Sequence, residues 1–142
     1  MMARTFHLEI VTPDRALLAE EVVSIIAPGA EGYLGVLANH APLVTELGVG
    51  VLRIRYPDDT EEDVAVSGGF MEVANNRVLV LADTAERPQD IDIQRVREAL
   101  IRARQMLQDP TADHERARAA LEKAINRLKV AGVELTRDLQ ED

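Results

Sequence analysis

The ten residues 86–95, ERPQDIDIQR, separate two parts of the chain that have different patterns. Before this stretch, short apolar runs alternate with turn residues, which is typical of strands. After it, apolar residues recur at intervals of three and four, which is typical of helices. The stretch itself carries two acids, Glu86 and Asp92, and one base, Arg95. It is therefore either a plain linker or a functional site between two domains, 1–86 and 87–142.

The first part predicts about nine short strands. Turns are expected at Pro57-Asp58-Asp59, Gly68-Gly69 and Asn75-Asn76, because these residues favour tight turns. Residues 22–27 form a continuous, mostly β-branched run, which predicts one strand covered on both faces. Gly35, inside another strand, predicts a bulge or a close approach of two backbones. Many short strands with frequent turns favour an antiparallel β-sandwich or barrel.

The second part predicts two amphipathic helices. The first stripe contains Ile93, Val96, Leu100, Ala103 and Leu107, and the second contains Ala117, Leu121, Ala124, Leu128, Ala131 and Leu135. We expect Asp90 to cap the first helix, and Asp109 or Thr111 to cap the second. Two stripes joined by a short connection predict an antiparallel helical hairpin. Because Ala alternates with Leu, the apolar seam is thin and the hairpin is expected to be marginally stable by itself. The predicted fold class is α+β.

Charge also differs between the two parts. The chain carries a net charge of -9, and residues 1–86 hold 5 basic and 14 acidic residues, whereas residues 87–142 hold 11 of each. An acidic domain repels nucleic acid, so no nucleic-acid partner is expected. There is no Cys, and no apolar run approaches the ~20 residues needed to cross a bilayer. We also see no secretory signal, and expect a soluble or peripheral protein.

No constellation of catalytic residues is recognisable. The three histidines fall in three different predicted elements, and the two serines, Ser24 and Ser67, lie in no nucleophile motif. His40 is interpreted as a corner residue whose ring hydrogen-bonds the backbone. We therefore expect a protein that is not an enzyme, with no catalytic residue and no metal site.

One group of charged residues has the chemistry of a binding site. Asp92 and Arg95 share a face of the first helix, and Lys123 and Arg127 share a face of the second. In an antiparallel hairpin the end of the second helix returns toward the start of the first. With Glu86, these residues could clamp phosphates and accept hydrogen bonds from a nucleoside. The alternative is that they form ordinary surface ion pairs.

Four motifs make the sequence similar to a known family. They are EGYLGVL at 31–37, HAPL at 40–43, SGGFMEV at 67–73 and VLADTAE at 80–86. In this combination and order they closely resemble the epsilon subunit of bacterial F-type ATP synthases, and the resemblance runs from about Phe6 to Leu135. It implies an N-terminal β-sandwich followed by a C-terminal antiparallel two-helix hairpin, in agreement with the patterns above.

The resemblance implies a non-catalytic rotor subunit, peripheral on the cytoplasmic face of the membrane. The sandwich would bind the gamma subunit and the membrane-embedded proton-carrying ring, with Tyr33 and His40 at the partner interface. The hairpin would extend into the alpha and beta subunits and inhibit ATP hydrolysis. Arg102 and Arg104 would then meet an acidic surface on the beta subunits. Their alternative role is that of a solvated helix face.

Some family members also bind regulatory ATP through an Ile/Leu-Asp-x-x-Arg-Ala motif. Here the matching residues 91–96 read IDIQRV, so Val96 replaces the final Ala. The implied ATP ligands are Glu86, Asp92, Arg95, Lys123 and Arg127, and no cofactor is required. Lys123 stands where ATP-binding members have Arg. A stand-alone nucleotide-sensing module is the alternative function.

Overall fold

The structure, a computed structural model, describes residues 4–133. The chain divides into two compact units between Arg87 and Pro88. The first unit contains eight strands: β1 (Phe6–Val11), β2 (Ala16–Val22), β3 (Ser24–Gly29), β4 (Gly32–Leu37), β5 (Leu43–Glu46), β6 (Val49–Arg55), β7 (Glu61–Ala74) and β8 (Arg77–Glu86). The second contains a 3₁₀ turn (Pro88–Asp90) and the helices α1 (Ile93–Gln108) and α2 (His114–Val130). The predicted α+β fold, a β-sandwich followed by a two-helix hairpin, is confirmed.

The strands form one hydrogen-bonded sheet in the order β2-β1-β8-β7-β6-β3-β4, with β5 also paired to β7. The pairs are antiparallel, except that β1 and β8 run parallel. This pair corrects the expectation of a purely antiparallel sandwich. Parallel strands need a long crossover, and β1 and β8 are joined by all the intervening strands.

The inner face of the sheet surrounds an apolar core. Fully buried core side chains come from β1, β2, β3, β4, β6, β7 and β8, and include Leu8, Ile10, Ile25, Leu52, Ile54, Val64, Val66, Met71 and Val80. The inner face of β7 is formed by even-numbered residues near Val64 and by odd-numbered residues near Met71. The strand therefore changes faces between these points, as a sheet must where it folds over its own core.

Gly68 and Gly69 make this change possible. Both have positive φ, 71° and 111°, and a Cβ at Gly69 would lie 2.0 Å from the carbonyl oxygen of Leu81. Sequence patterns predicted a turn here between two short strands. That prediction is wrong, because pairing with β8 continues in one register on both sides of the glycines. The eight strands of the described residues are accordingly fewer than the nine expected.

Two further strand predictions fail. The run 22–27 is not one strand, since β2 ends at Val22 and β3 begins at Ser24. Gly35 produces no bulge, because it pairs regularly with Ile26. The turn at Asn75-Asn76 is confirmed, and both residues have positive φ, as a two-residue hairpin turn requires.

The helices begin at caps other than those expected. Asp92 caps α1 and Asp113 caps α2, each carboxylate accepting from the backbone N–H three residues later. Asp90 lies instead in the 3₁₀ turn, whose Pro88 carbonyl accepts from the Ile91 N–H. The acids predicted as caps thus belong to the connections that precede the helices.

The second helix ends earlier than its apolar stripe suggested. A Schellman motif ends the helix after Val130. Gly132 has a φ of 83°, the Val133 N–H donates to the Leu128 carbonyl, and the Gly132 N–H donates to the Lys129 carbonyl. The seam itself is thin, as predicted: α1 buries only Val96, Leu100 and Ala103. Leu135, the last residue of the expected stripe, lies outside the described residues.

Candidate functional site

Asp92 and Arg95 stand at the first turn of α1. The Asp92 Oδ1 accepts a hydrogen bond of 3.2 Å from the Arg95 backbone N–H, so one oxygen of this carboxylate is engaged by the helix. The Arg95 side chain is exposed. Within residues 4–133, the two side chains form no ion pair with each other. The simple i, i+3 surface pair therefore does not account for these residues.

The hairpin brings the cations of its two helices to similar levels. Arg95 lies 13 residues before the end of α1 at Gln108, and Arg127 lies 13 residues after the start of α2 at His114. Counted from the connection between the helices, Arg95 and Arg127 are therefore equally far along α1 and α2. Lys123, one turn away on α2, is exposed, whereas Arg127 is half-buried with its Nε screened from solvent. Such a set of cations suits a polyphosphate anion.

Glu86 is the last residue of β8. It pairs with Ala65 of β7, and its side chain is half-buried. It belongs to the sandwich unit, whereas the other four predicted ATP ligands belong to the hairpin unit. The common site for all five residues stays a prediction.

The basic residues of α1 differ in exposure. Arg102 is exposed beside the exposed Ile101, and Arg104 is half-buried. Val96, which replaces the Ala of the ATP motif, is fully buried. Its extra methyl groups therefore add to the hairpin interior.

Tyr33 lies on β4 with 60% of its surface exposed, yet its hydroxyl is fixed. The Val51 backbone N–H donates to this hydroxyl at 3.1 Å. A Cβ at Gly50 would lie 2.6 Å from the same oxygen, so the ring extends over a position that only glycine leaves open. Tyr33 thus combines an exposed ring with a role in holding β4 against β6.

His40 occupies the corner between β4 and β5. Its backbone N–H donates to the Leu37 carbonyl, and its Nδ1 lies 2.7 Å from the Ala41 carbonyl oxygen. The predicted corner role, with the ring bonded to the backbone, is confirmed.

Sequence patterns missed one feature, an exposed apolar strip on the outer face of the sandwich. We define the outer strip as Val44, Phe70 and Leu81, whose exposed fractions are 69%, 55% and 50%. Phe70 pairs with Leu81 and with Glu46, and Val44 pairs with Glu72, so apolar and acidic side chains share this face. The run Val78-Leu79-Val80-Leu81, which lacks polar alternation, was the available signal.

Two further features are absent from the part of the chain that the structure describes. Between residues 4 and 133, no helix has the length and apolar character needed to span a bilayer. In the same range, His, Asp and Glu side chains form no group of three or more that could hold a metal ion.

Comparison with known proteins identifies the family. The family model for the β-sandwich domain of the ATP synthase delta/epsilon chain matches residues 5–88, and the model for the long α-helix domain of the same chain matches residues 89–132. The ATP synthase epsilon chain of Moorella thermoacetica is 51% identical, covering 90% of this chain and 97% of its own length. That of Desulforamulus reducens is 52% identical, covering 92% and 99%.

Solved structures agree with this assignment. A chain in the cryo-EM structure of the Euglena gracilis mitochondrial ATP synthase, OSCP/F1/c-ring in rotational state 1, has a TM-score of 0.78 and 29% identity, covering 92% of this chain and 83% of that one. A Tetrahymena thermophila mitochondrial ATP synthase chain shares the fold, with a TM-score of 0.60 at 17% identity. The chain therefore belongs to the ATP synthase delta/epsilon family, and within it to the bacterial epsilon chains of F-type ATP synthases.

Proposed function

We propose that this chain is a non-catalytic central-stalk subunit that couples proton flow to ATP synthesis and inhibits ATP hydrolysis through its hairpin. The observation that carries the proposal is the division into two units of different character. One unit has a large core of its own and an exposed apolar strip. The other is a hairpin with a thin, Ala-rich seam. A rigid docking unit joined to a marginal helical unit suits a rotor subunit with a movable inhibitor.

The outer strip supports binding of the sandwich to the gamma subunit. Its three apolar side chains lie beside Glu46 and Glu72, and residues 1–86 carry all the excess acid of the chain. Such a face suits a partner that presents apolar side chains together with Lys or Arg. The relative from Euglena gracilis stands in an assembly with F1 and a c-ring. We infer that the corresponding contact with the ring lies near Tyr33 and His40, and that the subunit is peripheral at the cytoplasmic face of the membrane.

The hairpin is the proposed inhibitor. Two of its exposed basic residues, Arg97 and Arg102, lie on α1 together with the exposed Ile101. An extended hairpin could place this surface against an acidic part of the beta subunits and so block hydrolysis.

Removal of residues from Asp90 onward tests the division of labour. The truncated chain should still bind the gamma subunit and support coupled ATP synthesis, because the sandwich keeps its core and its outer strip. It should release the synthase from hydrolysis inhibition, measured as ATPase activity of the assembled enzyme. Failure of the truncated chain to bind gamma would contradict the proposal.

ATP is the proposed regulator of the hairpin. Arg95, Lys123 and Arg127 provide positive charge at neighbouring levels, and Asp92 supplies an acceptor. ATP that binds only the folded hairpin, at 100 times its dissociation constant, would stabilise that state by about 2.7 kcal/mol. Full reversal of a 1:99 population needs about 5.5 kcal/mol, so ATP would bias the switch and contacts with other subunits would complete it.

Titration calorimetry of the isolated chain tests the ATP site. We expect measurable heat with ATP and a large loss of affinity in Arg127→Ala. Equal heats for the two proteins would remove this site from the proposal. A stand-alone nucleotide sensor, the alternative function, would bind ATP but fail to co-purify with other synthase subunits.

A further inference from the structure

A carboxylate lies on the inner face of the sheet at one end of the sandwich. Glu62 pairs with Ile54 of β6, and only 14% of its side chain is exposed. Val64, two residues further along β7, is fully buried in the core. A charged group in such a position is costly unless other groups pair with it.

Two side chains satisfy Glu62. The Arg87 guanidinium donates twice, from Nε to Oε2 at 2.7 Å and from Nη2 to Oε1 at 2.9 Å. The Tyr56 hydroxyl donates to Oε1 at 2.7 Å. Burial raises the pKa of Tyr56, and the hydrogen bond to Glu62 raises it further, so the hydroxyl keeps its proton. We call Tyr56, Glu62 and Arg87 the junction clamp.

Arg87 is the member of the clamp that lies next to the hairpin unit in sequence. Strand β8 ends at Glu86, and Arg87 is the last residue of the sandwich unit. Pro88 follows, and a proline restricts the preceding residue to extended backbone. Arg87 has thus left the strand pairing of β8, and a two-pronged ion pair holds its side chain instead.

We propose that the junction clamp is the fixed end of the hinge on which the hairpin moves. The proposal rests on the movable hairpin proposed above. Arg87 and Glu62 act as positioning residues: they confine hairpin movement to residues after 87 and hold Glu86, a proposed ATP ligand, at the end of β8. Loss of the clamp would let the chain pivot further back and would displace Glu86.

Because the chain has no Cys, introduced cysteines provide unique labelling sites. Asp14→Cys, in the exposed turn between β1 and β2, and Ala120→Cys, on the exposed face of α2, place one spin label on each unit. Pulsed electron paramagnetic resonance then measures the distance distribution in the full chain with and without ATP. We expect Glu62→Gln to broaden the ATP-free distribution and to weaken ATP binding about tenfold, within the range usual for coupling between sites.

Asp63→Asn is the matched control. Asp63 is adjacent to Glu62 on β7, and its carboxylate also accepts two hydrogen bonds from one arginine, Arg53, at 2.9 and 3.3 Å. This pair, however, lies on an exposed part of the β6–β7 ladder. The control removes the same charge without touching Arg87, and it should leave both the distribution and ATP affinity unchanged. Arg87→Lys, which keeps the charge and loses the paired geometry, should give an intermediate broadening.

The outcomes separate the clamp from a purely structural role. If Glu62→Gln lowers the melting temperature of the sandwich but matches Asp63→Asn in distance width and ATP affinity, the inference is overturned. If Glu62→Gln does not fold, Tyr56→Phe removes one donor and keeps the ion pair, and it should broaden the distribution less. If the distance distribution of the wild-type chain does not respond to ATP, the proposed regulation by ATP is contradicted. In that case the ATP-free widths of wild type, Glu62→Gln and Asp63→Asn still support or overturn the proposed role of the clamp.

Discussion

Individual glycines in this chain have opposite roles that the sequence alone does not distinguish. Gly69 has a φ of 111° and faces the Leu81 carbonyl. Gly35 sits in a regular strand pair, and a Cβ added there would lie 4.0 Å from its nearest neighbour, the carbonyl oxygen of Ile25. The first glycine is required at the point where β7 changes faces, which we call the crease in β7. The second is a residue that the strand tolerates.

Gly69→Ala should therefore destabilise the sandwich by about 2–4 kcal/mol, because the added carbon combines backbone strain with a steric clash. Gly35→Ala should change stability by less than about 1 kcal/mol and favour the folded state, since alanine loses less entropy in a strand. Urea unfolding of the two variants measures both effects. Equal losses of stability would show that the crease does not depend on glycine.

At the scale of elements, the first turn of α1 serves two purposes. Asp92 caps the helix through its carboxylate, and the same carboxylate is the proposed acceptor for ATP. A variant that removes the side chain would abolish helix capping and the proposed ATP contact at the same time. Serine separates them, because a hydroxyl caps a helix nearly as well and carries no charge.

Asp92→Ser should keep the helix content measured by circular dichroism and should weaken ATP binding measured by calorimetry. Asp92→Ala should lose both, with a stability cost of about 1 kcal/mol from the missing cap. Asp113→Ser, the equivalent change at the cap of α2, is the control and should leave ATP binding intact. Unchanged ATP affinity in Asp92→Ser would restrict Asp92 to its capping role.

At the scale of the whole molecule, the outer strip links the fold to its proposed partner. Exposed aromatic and aliphatic side chains stabilise the sandwich little, because much of their surface stays in water. Together with Glu46 and Glu72 on the same face, they form the mixed apolar and acidic surface that suits a protein–protein interface.

Phe70→Ser should leave the melting temperature of the isolated chain nearly unchanged and should weaken binding to purified gamma subunit by about 2 kcal/mol or more, as expected of an aromatic anchor. Ile26→Ser, at another exposed apolar position on β3, is the control and should bind gamma normally. Normal binding by the Phe70 variant would exclude the outer strip as the gamma contact.

Much of this architecture could be predicted from local patterns. Alternation and turn residues located the turn at Asn75-Asn76, and the three-four spacing located both helices. The corner role of His40 was also predictable. Failures occurred where a residue admits two local interpretations: Gly68-Gly69 could be a turn or a crease, and Asp90 or Asp92 could be the cap.

The sequence by itself determined the two-part α+β organisation and the charge difference between the parts, because periodicity and composition are local properties. Only the tertiary structure decided that β7 continues through Gly68-Gly69, that β1 pairs in parallel with β8, and that Glu62 meets Arg87 across 25 residues. These features depend on which distant strands become neighbours. The stretch 86–95 shows both sides: its change of pattern is visible in the sequence, while the clamp at its start exists only in the folded sandwich.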